Sequence, residues 1–96
     1  MRFEIVLAPE AVDDVKRLKA VKRPEVLAAL NTHLRYEPTK VSHSRIKRLR
    51  ELSHPQYRLR VGDVRVFYDV VGSTVEVLAV VDKAEASAWL MREGLT

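Results

Sequence analysis

The sequence predicts an α+β domain. It is read as an antiparallel sheet, an N-terminal strand plus a three-stranded C-terminal meander, with an N-terminal helical hairpin on one face and a short C-terminal helix. Three observations carry this reading. An alternating apolar run opens the chain, two stretches at helical spacing follow, and two Gly-X dipeptides, Gly62-Asp63 and Gly72-Ser73, then punctuate three β-rich runs.

Taken in order, Arg2–Leu7 reads as the first strand, with Phe3, Ile5 and Leu7 alternating with Arg2, Glu4 and Val6. Pro9 suits the first turn of a helix, where a missing N–H costs nothing. Ala11, Val15 and Leu18 then follow at helical spacing, with Asp13, Asp14, Lys16 and Arg17 on the solvent side. Lys22, Arg23 and Pro24 mark a break and restart. A second helix is expected to run to about Glu37, with Val26, Leu27, Leu30 and Leu34 as its apolar stripe and Pro38 as its stop. Thr39–Gln56 is the least regular stretch. It holds a short strand near Ile46–Leu49 and a loop through Ser53, His54 and Pro55. Arg45, Lys47, Arg48 and Arg50 make this stretch basic, which fits either a solvated edge that resists aggregation or a rim that contacts phosphates. Asp82 is the expected N-cap of the last helix and Gly94 its stop.

The two turns set a register. A two-residue type II′ turn at Gly62-Asp63 pairs Val61 with Val64, Arg60 with Arg65, Leu59 with Val66, Arg58 with Phe67 and Tyr57 with Tyr68. The second turn pairs Val71 with Thr74, so that Tyr68 meets Val77 and Val66 meets Ala79. One face is then apolar: Tyr57, Leu59, Val61, Val64, Val66, Tyr68, Val70, Val75, Val77, Ala79 and Val81. The other holds Arg58, Arg60, Arg65, Phe67, Asp69, Glu76, Leu78 and Val80. Arg60 opposite Arg65 is a like-charge pair, which costs up to about 1 kcal/mol. Either the arginine stems cover Leu78 and Val80 while their heads reach water, or the three guanidinium forks form a site for an anion such as phosphate.

Composition bounds the function. The 96 residues make one domain, 1–96, 47% hydrophobic, with no apolar run long enough to span a membrane. The opening segment does not read as a signal peptide and there is no cysteine, so a cytoplasmic protein is the expectation. Three scattered histidines, His33, His43 and His54, offer no metal-ligand spacing, and three glycines in all leave no phosphate-cradling loop. Neither a metal nor a cofactor is expected. A net charge of +4 points to an anionic partner, or to a basic domain that binds nothing anionic.

The stretch "YRLRVGDVRVFYDV" (Tyr57–Val70) resembles the Tyr-Arg-x-Arg-x-Gly-x-x-Arg-x-x-Tyr pattern of the RelE/ParE superfamily of bacterial type II toxins, and the element order of the whole chain is similar. The resemblance implies several things. RelE-like members cut mRNA in the ribosomal A site without a metal, the 2′-hydroxyl attacking the adjacent phosphate. Arg58, Arg60 and Arg65 match the family's cationic sheet residues. The family's C-terminal arginine, followed about six residues on by tyrosine, is absent here. Lys83 and Trp89 occupy the nearest corresponding places. Arginine stays protonated, so a base must be sought among His54, Lys47 and Lys83. Lys47, Arg48, Arg50 and Trp89 are the candidate RNA contacts. An antitoxin is the implied partner, with Phe67, Leu78 and Val80 as its apolar anchors, besides the ribosome and mRNA. Operator DNA is expected only through the antitoxin complex. A ParE-like inhibitor of DNA gyrase and an inactive interaction module are the alternatives.

Overall fold

A computed structural model describes residues 1–96. Five strands form one sheet: β1 (Glu4–Leu7), β2 (Ile46–Arg48), β3 (Tyr57–Val61), β4 (Val64–Val71) and β5 (Thr74–Asp82), in the order β1-β5-β4-β3-β2. Every neighbouring pair is antiparallel except β1–β5, which is parallel. The expected all-antiparallel sheet is thus corrected at one edge. β1 must run parallel to β5 because the two helices that follow it carry the chain back across one face.

Helices α1 (Pro9–Arg17) and α2 (Lys22–Leu34) cover that face. Pro9 starts α1 as expected, whereas Pro24 lies inside the first turn of α2 rather than ahead of it, and α2 ends three residues short of Glu37. Ala11, Val26, Leu30 and Leu34 pack onto Ile46, Leu59, Val61, Val64, Val66, Tyr68, Val75, Val77 and Val80 to make the core. Leu27, expected in the stripe, is exposed. Val26, Leu30 and Leu34 recur every four residues, and a ridge of that spacing leaves Leu27 on the flank. Phe3 at the start of the chain is tied to the end of α2, its N–H donating to the Arg35 carbonyl at 2.7 Å.

Both turns behave as the register required. Gly62 and Gly72 have φ of 57° and 60°, the conformation a II′ turn demands at its first central residue. All five β3–β4 pairs match, and β4–β5 matches from Val71↔Thr74 through Tyr68↔Val77. Beyond that a bulge intervenes. Phe67 faces Ala79, Val66 faces Val80 and Arg65 faces Val81, leaving Leu78 as the extra residue. The expected Val66–Ala79 pair is therefore wrong by one position. From the bulge onward the two faces of β5 exchange: Val80 joins the helix-side core, while Ala79 and Val81 turn to the other face.

That other face is not open either. After β5 a 3-10 turn (Lys83–Glu85) leads into α3 (Ala86–Glu93), whose Trp89 stacks flat on Phe67, ring centroids 4.9 Å apart. Asp82 precedes the 3-10 turn but makes no capping hydrogen bond. Gly94 ends α3 at φ −69°, so its glycine is needed for space, not for dihedral freedom. A Cβ there would lie 2.5 Å from the Leu90 carbonyl oxygen. The chain end is then tied down: Leu95 and His54 form an antiparallel bridge, with Ser53 and His54 N–H groups donating to the Leu95 carbonyl.

Candidate functional site

The β2–β3–β4 register builds the cationic face. Lys47 lies opposite Arg58, and Arg60 opposite Arg65. Arg60 also donates its N–H to the Arg45 carbonyl, which extends the row by a further cation. The predicted convergence of Arg58, Arg60 and Arg65 is therefore present, and Lys47 and Arg45 join it from the edge strand. None of these side chains forms an ion pair.

The three arginines differ. Arg60 is exposed. Arg65 is only 8% exposed, and its Nη1 donates to the carbonyls of Gly62 at 2.8 Å and Val64 at 3.1 Å, so it also braces the β3–β4 turn. Arg58 is half-buried, and its Nε is buried with no hydrogen-bond partner. Burial, then the charges of Arg65 and Arg60, hold the Arg58 guanidinium below its ordinary pKa. A cation destabilised in this way is stabilised by any anion that reaches it.

His54 is held by a carboxylate the sequence reading did not single out. Its Nδ1 stands 2.8 Å from Oδ2 of buried Asp69, whose Oδ1 accepts the Gln56 N–H at 2.7 Å. The carboxylate fixes the tautomer with the proton on Nδ1 and leaves Nε2 free to accept. The signal was available: continuing the Tyr57–Tyr68 register by one step sets Gln56 against Asp69, with His54 two residues earlier. His54 nevertheless does not join the arginines near the turn. Asp69 lies four residues from Arg65 along β4, roughly 13 Å at the strand rise, and the Phe67–Trp89 stack stands between. Lys83 lies at the opposite end, its N–H donating to the Asp63 carbonyl in the turn. The candidate bases therefore flank the cationic row, one at each end, with Lys47 alone inside it.

Two of the three expected antitoxin anchors are corrected. Phe67 is fully buried beneath Trp89, and Val80 is fully packed on the helix side because the bulge reverses its direction. Leu78, the bulged residue, is half-buried in a pocket of about 470 Å³ shared with His54, Asp69 and Trp89. Of the basic rim, Arg48 is engaged: its Nη1 donates to the Gln56 carbonyl at 2.8 Å and it lies 5.1 Å over the Tyr57 ring. Lys47 and Arg50 are exposed and unpaired.

The architecture has solved counterparts. The RelBE2 toxin–antitoxin complex of Mycobacterium tuberculosis contains a chain that superimposes with a TM-score of 0.70 at 21% identity, over 85% of this chain and 99% of that one. The chain has the RelE fold. A RelB–RelE antitoxin–toxin complex from Methanococcus jannaschii matches at a TM-score of 0.63 and 21% identity, over 88% of this chain and 96% of that one. A free E. coli RelE toxin variant matches at 0.55 and 22%, over 92% and 90%. No protein-family model and no curated relative matches the sequence. Within this fold the cationic row lies on the sheet face that carries the C-terminal helix, opposite the helical hairpin.

Proposed function

We propose that this chain is the toxin of a type II toxin–antitoxin pair, and that it acts as a metal-independent ribonuclease on mRNA in the ribosomal A site. The observation that carries the reading is the row of Lys47, Arg58, Arg60 and Arg65, none of which has an acidic partner. A phosphodiester supplies acceptors for the cationic groups of the row that reach solvent, and guanidinium forks stabilise the charge that grows on phosphorus-bound oxygen. In the reaction the 2′-oxygen bonds to the adjacent phosphorus and the P–O5′ bond breaks. The products are a 2′,3′-cyclic phosphate and a 5′-hydroxyl, the 2′-proton passing to a base and the leaving oxygen taking up a proton. Lys47 lies within the row, and His54, oriented by Asp69, lies beyond its end. A ribosomal target implies a cytoplasmic site of action, with operator DNA reached only through the antitoxin complex.

In a translation reaction, mapped RNA 5′ ends should appear within A-site codons. Arg58→Ala and Arg60→Ala should each lower cleavage by about 10²-fold, the usual loss for one charge-stabilising donor. Message that stays intact with the wild-type protein would rule the nuclease out.

A second reading, a ParE-like inhibitor of DNA gyrase, draws on a different observation. Arg65 is committed to turn carbonyls, and His54 and Lys83 lie at opposite ends of β4. A binder needs the cationic face but no base. Inhibited supercoiling alongside intact mRNA would select it.

A further inference from the structure

We infer that Arg65 is a positioning residue: it braces the β3–β4 turn and so sets where Arg60 presents its guanidinium to a bound phosphate, and it makes no contact with the phosphate itself. The inference rests on the anion-binding reading of the cationic row above. It separates Arg65 from the two arginines with which the sequence motif groups it.

The register decides how close Arg60 and Arg65 come. The Arg60 N–H donates to the Arg45 carbonyl at 2.8 Å, and the Arg60 carbonyl accepts from Arg45 Nη1 at 3.4 Å. Both backbone groups of Arg60 therefore point to the β2 side and away from β4, although Arg65 of β4 is its cross-strand partner. Arg60 and Arg65 are thus a non-hydrogen-bonded pair, the closer-set kind, with Cα atoms roughly 4.5 Å apart. Two like charges on stems at that spacing repel. The structure resolves the conflict by parting them. Arg60 stays exposed, whereas Arg65 folds back toward the turn and is only 8% exposed.

The partners of Arg65 fix its role. Its Nη1 donates to the Gly62 carbonyl and to the Val64 carbonyl, which uses both hydrogens of that nitrogen. Swinging out to meet a phosphate would leave those two carbonyls without their donor, a loss larger than an ordinary hydrogen bond returns. The same turn is tied a second time, where the Lys83 N–H donates to the Asp63 carbonyl at 2.7 Å. Arg60 stands two residues before Gly62, so any shift of the turn passes directly to it. Arg65 also acts on Arg58. Burial first, and then the Arg65 charge ahead of the Arg60 charge, lower the Arg58 pKa. From beneath the surface Arg65 therefore makes the open part of the row more receptive to an anion.

The test uses the whole chain and a short single-stranded RNA methylated at its 2′-oxygens, which lacks the attacking hydroxyl. In nuclear magnetic resonance spectra of isotope-labelled wild type, the Nε–H signals of Arg60 and Arg65 are followed as the RNA is added. The Arg60 signal should move strongly and the Arg65 signal far less. Affinity is then measured by fluorescence anisotropy for the wild type, Arg60→Ala, Arg65→Gln and the double variant, with circular dichroism verifying each fold. Arg60→Ala should weaken binding about tenfold, the size of one charged hydrogen bond. Arg65→Gln should weaken it about fivefold in the wild type, yet by less than about twofold once Arg60 is alanine, since a residue acting through Arg60 has nothing left to act through. Losses that multiply in the double variant overturn the inference, as does an Arg65 signal that moves as far as that of Arg60. The spectra need only the wild type, so they decide the matter when a variant does not fold. RNA that binds while message stays intact in the translation reaction ends the nuclease reading and leaves the role of Arg65 standing. If the wild type does not bind the RNA, the anion site fails and the inference falls with it.

Discussion

Asp14 stands in for a strand. β1 stops at Leu7, so β5 beyond Val77 loses its neighbour, and the Val80 N–H is met instead by Asp14 Oδ2 at 2.9 Å, with Arg17 on the other carboxylate oxygen. The sequence reading put Asp14 on the solvent side of α1, since nothing in an amphipathic pattern marks a side chain that turns inward to one backbone group. Asp14→Ala should cost about 1–3 kcal/mol, the penalty for a buried donor left unmet, visible as a lower denaturation midpoint, whereas Asp13→Ala should be near neutral. His33 gives a pH signature. Burial, and then the Arg45 charge, lower its pKa from the ordinary 6.5. The unfolded chain therefore takes up a proton first, so stability is full above about pH 6.5 and declines as pH falls toward the lower folded value. His33→Gln should flatten that part of a stability–pH curve. At this scale the sequence disclosed which arginines share a face. It did not disclose that Arg65 is braced by turn carbonyls or that Asp69 orients His54, because both depend on side-chain paths that register alone leaves open.

Among the elements, β4 and β5 illustrate what patterning conveys. Two Gly-X turns were enough to register nine cross-strand pairs correctly, from Val61↔Val64 to Tyr57↔Tyr68 and from Val71↔Thr74 to Tyr68↔Val77. The bulge at Leu78 escaped because "VEVLAVVD" is apolar at Val77, Leu78, Ala79, Val80 and Val81, and such a run looks alike in either phase. The consequence is checkable. Val80→Ala should destabilise by about 2 kcal/mol through the cavity it leaves, and Val81→Ala by clearly less, measured by chemical denaturation. Equal costs would contradict the bulged register. β4 also shows the limit of a two-faced reading. It is buried from Val64 through Asp69 without interruption: on the face read as either solvated or anion-binding, Trp89 of α3 covers Phe67 and turn carbonyls hold Arg65. A helix of only eight residues gives little sign of where it docks.

For the molecule as a whole, α3 is the most weakly anchored part. It buries no residue fully and relies on the Trp89–Phe67 stack and the Leu95–His54 bridge. Gly94 allows the chain to turn there, so Gly94→Ala, which sets a Cβ against the Leu90 carbonyl and Leu52, should loosen the docking at a cost of about 1–3 kcal/mol. Trp89 is the single tryptophan, and a red-shifted emission in that variant would report the loosening directly. The other end of the sheet has a different lesson. Glu4 of the first strand pairs with Thr74 of the last, 70 residues later. A chain growing from its N-terminus cannot close that edge until the final strand has emerged from the ribosome. The ordering cost of so distant a pairing is met late. Until β5 has been made β1 has no neighbour in the sheet, so the first strand of the chain is among the last to be paired.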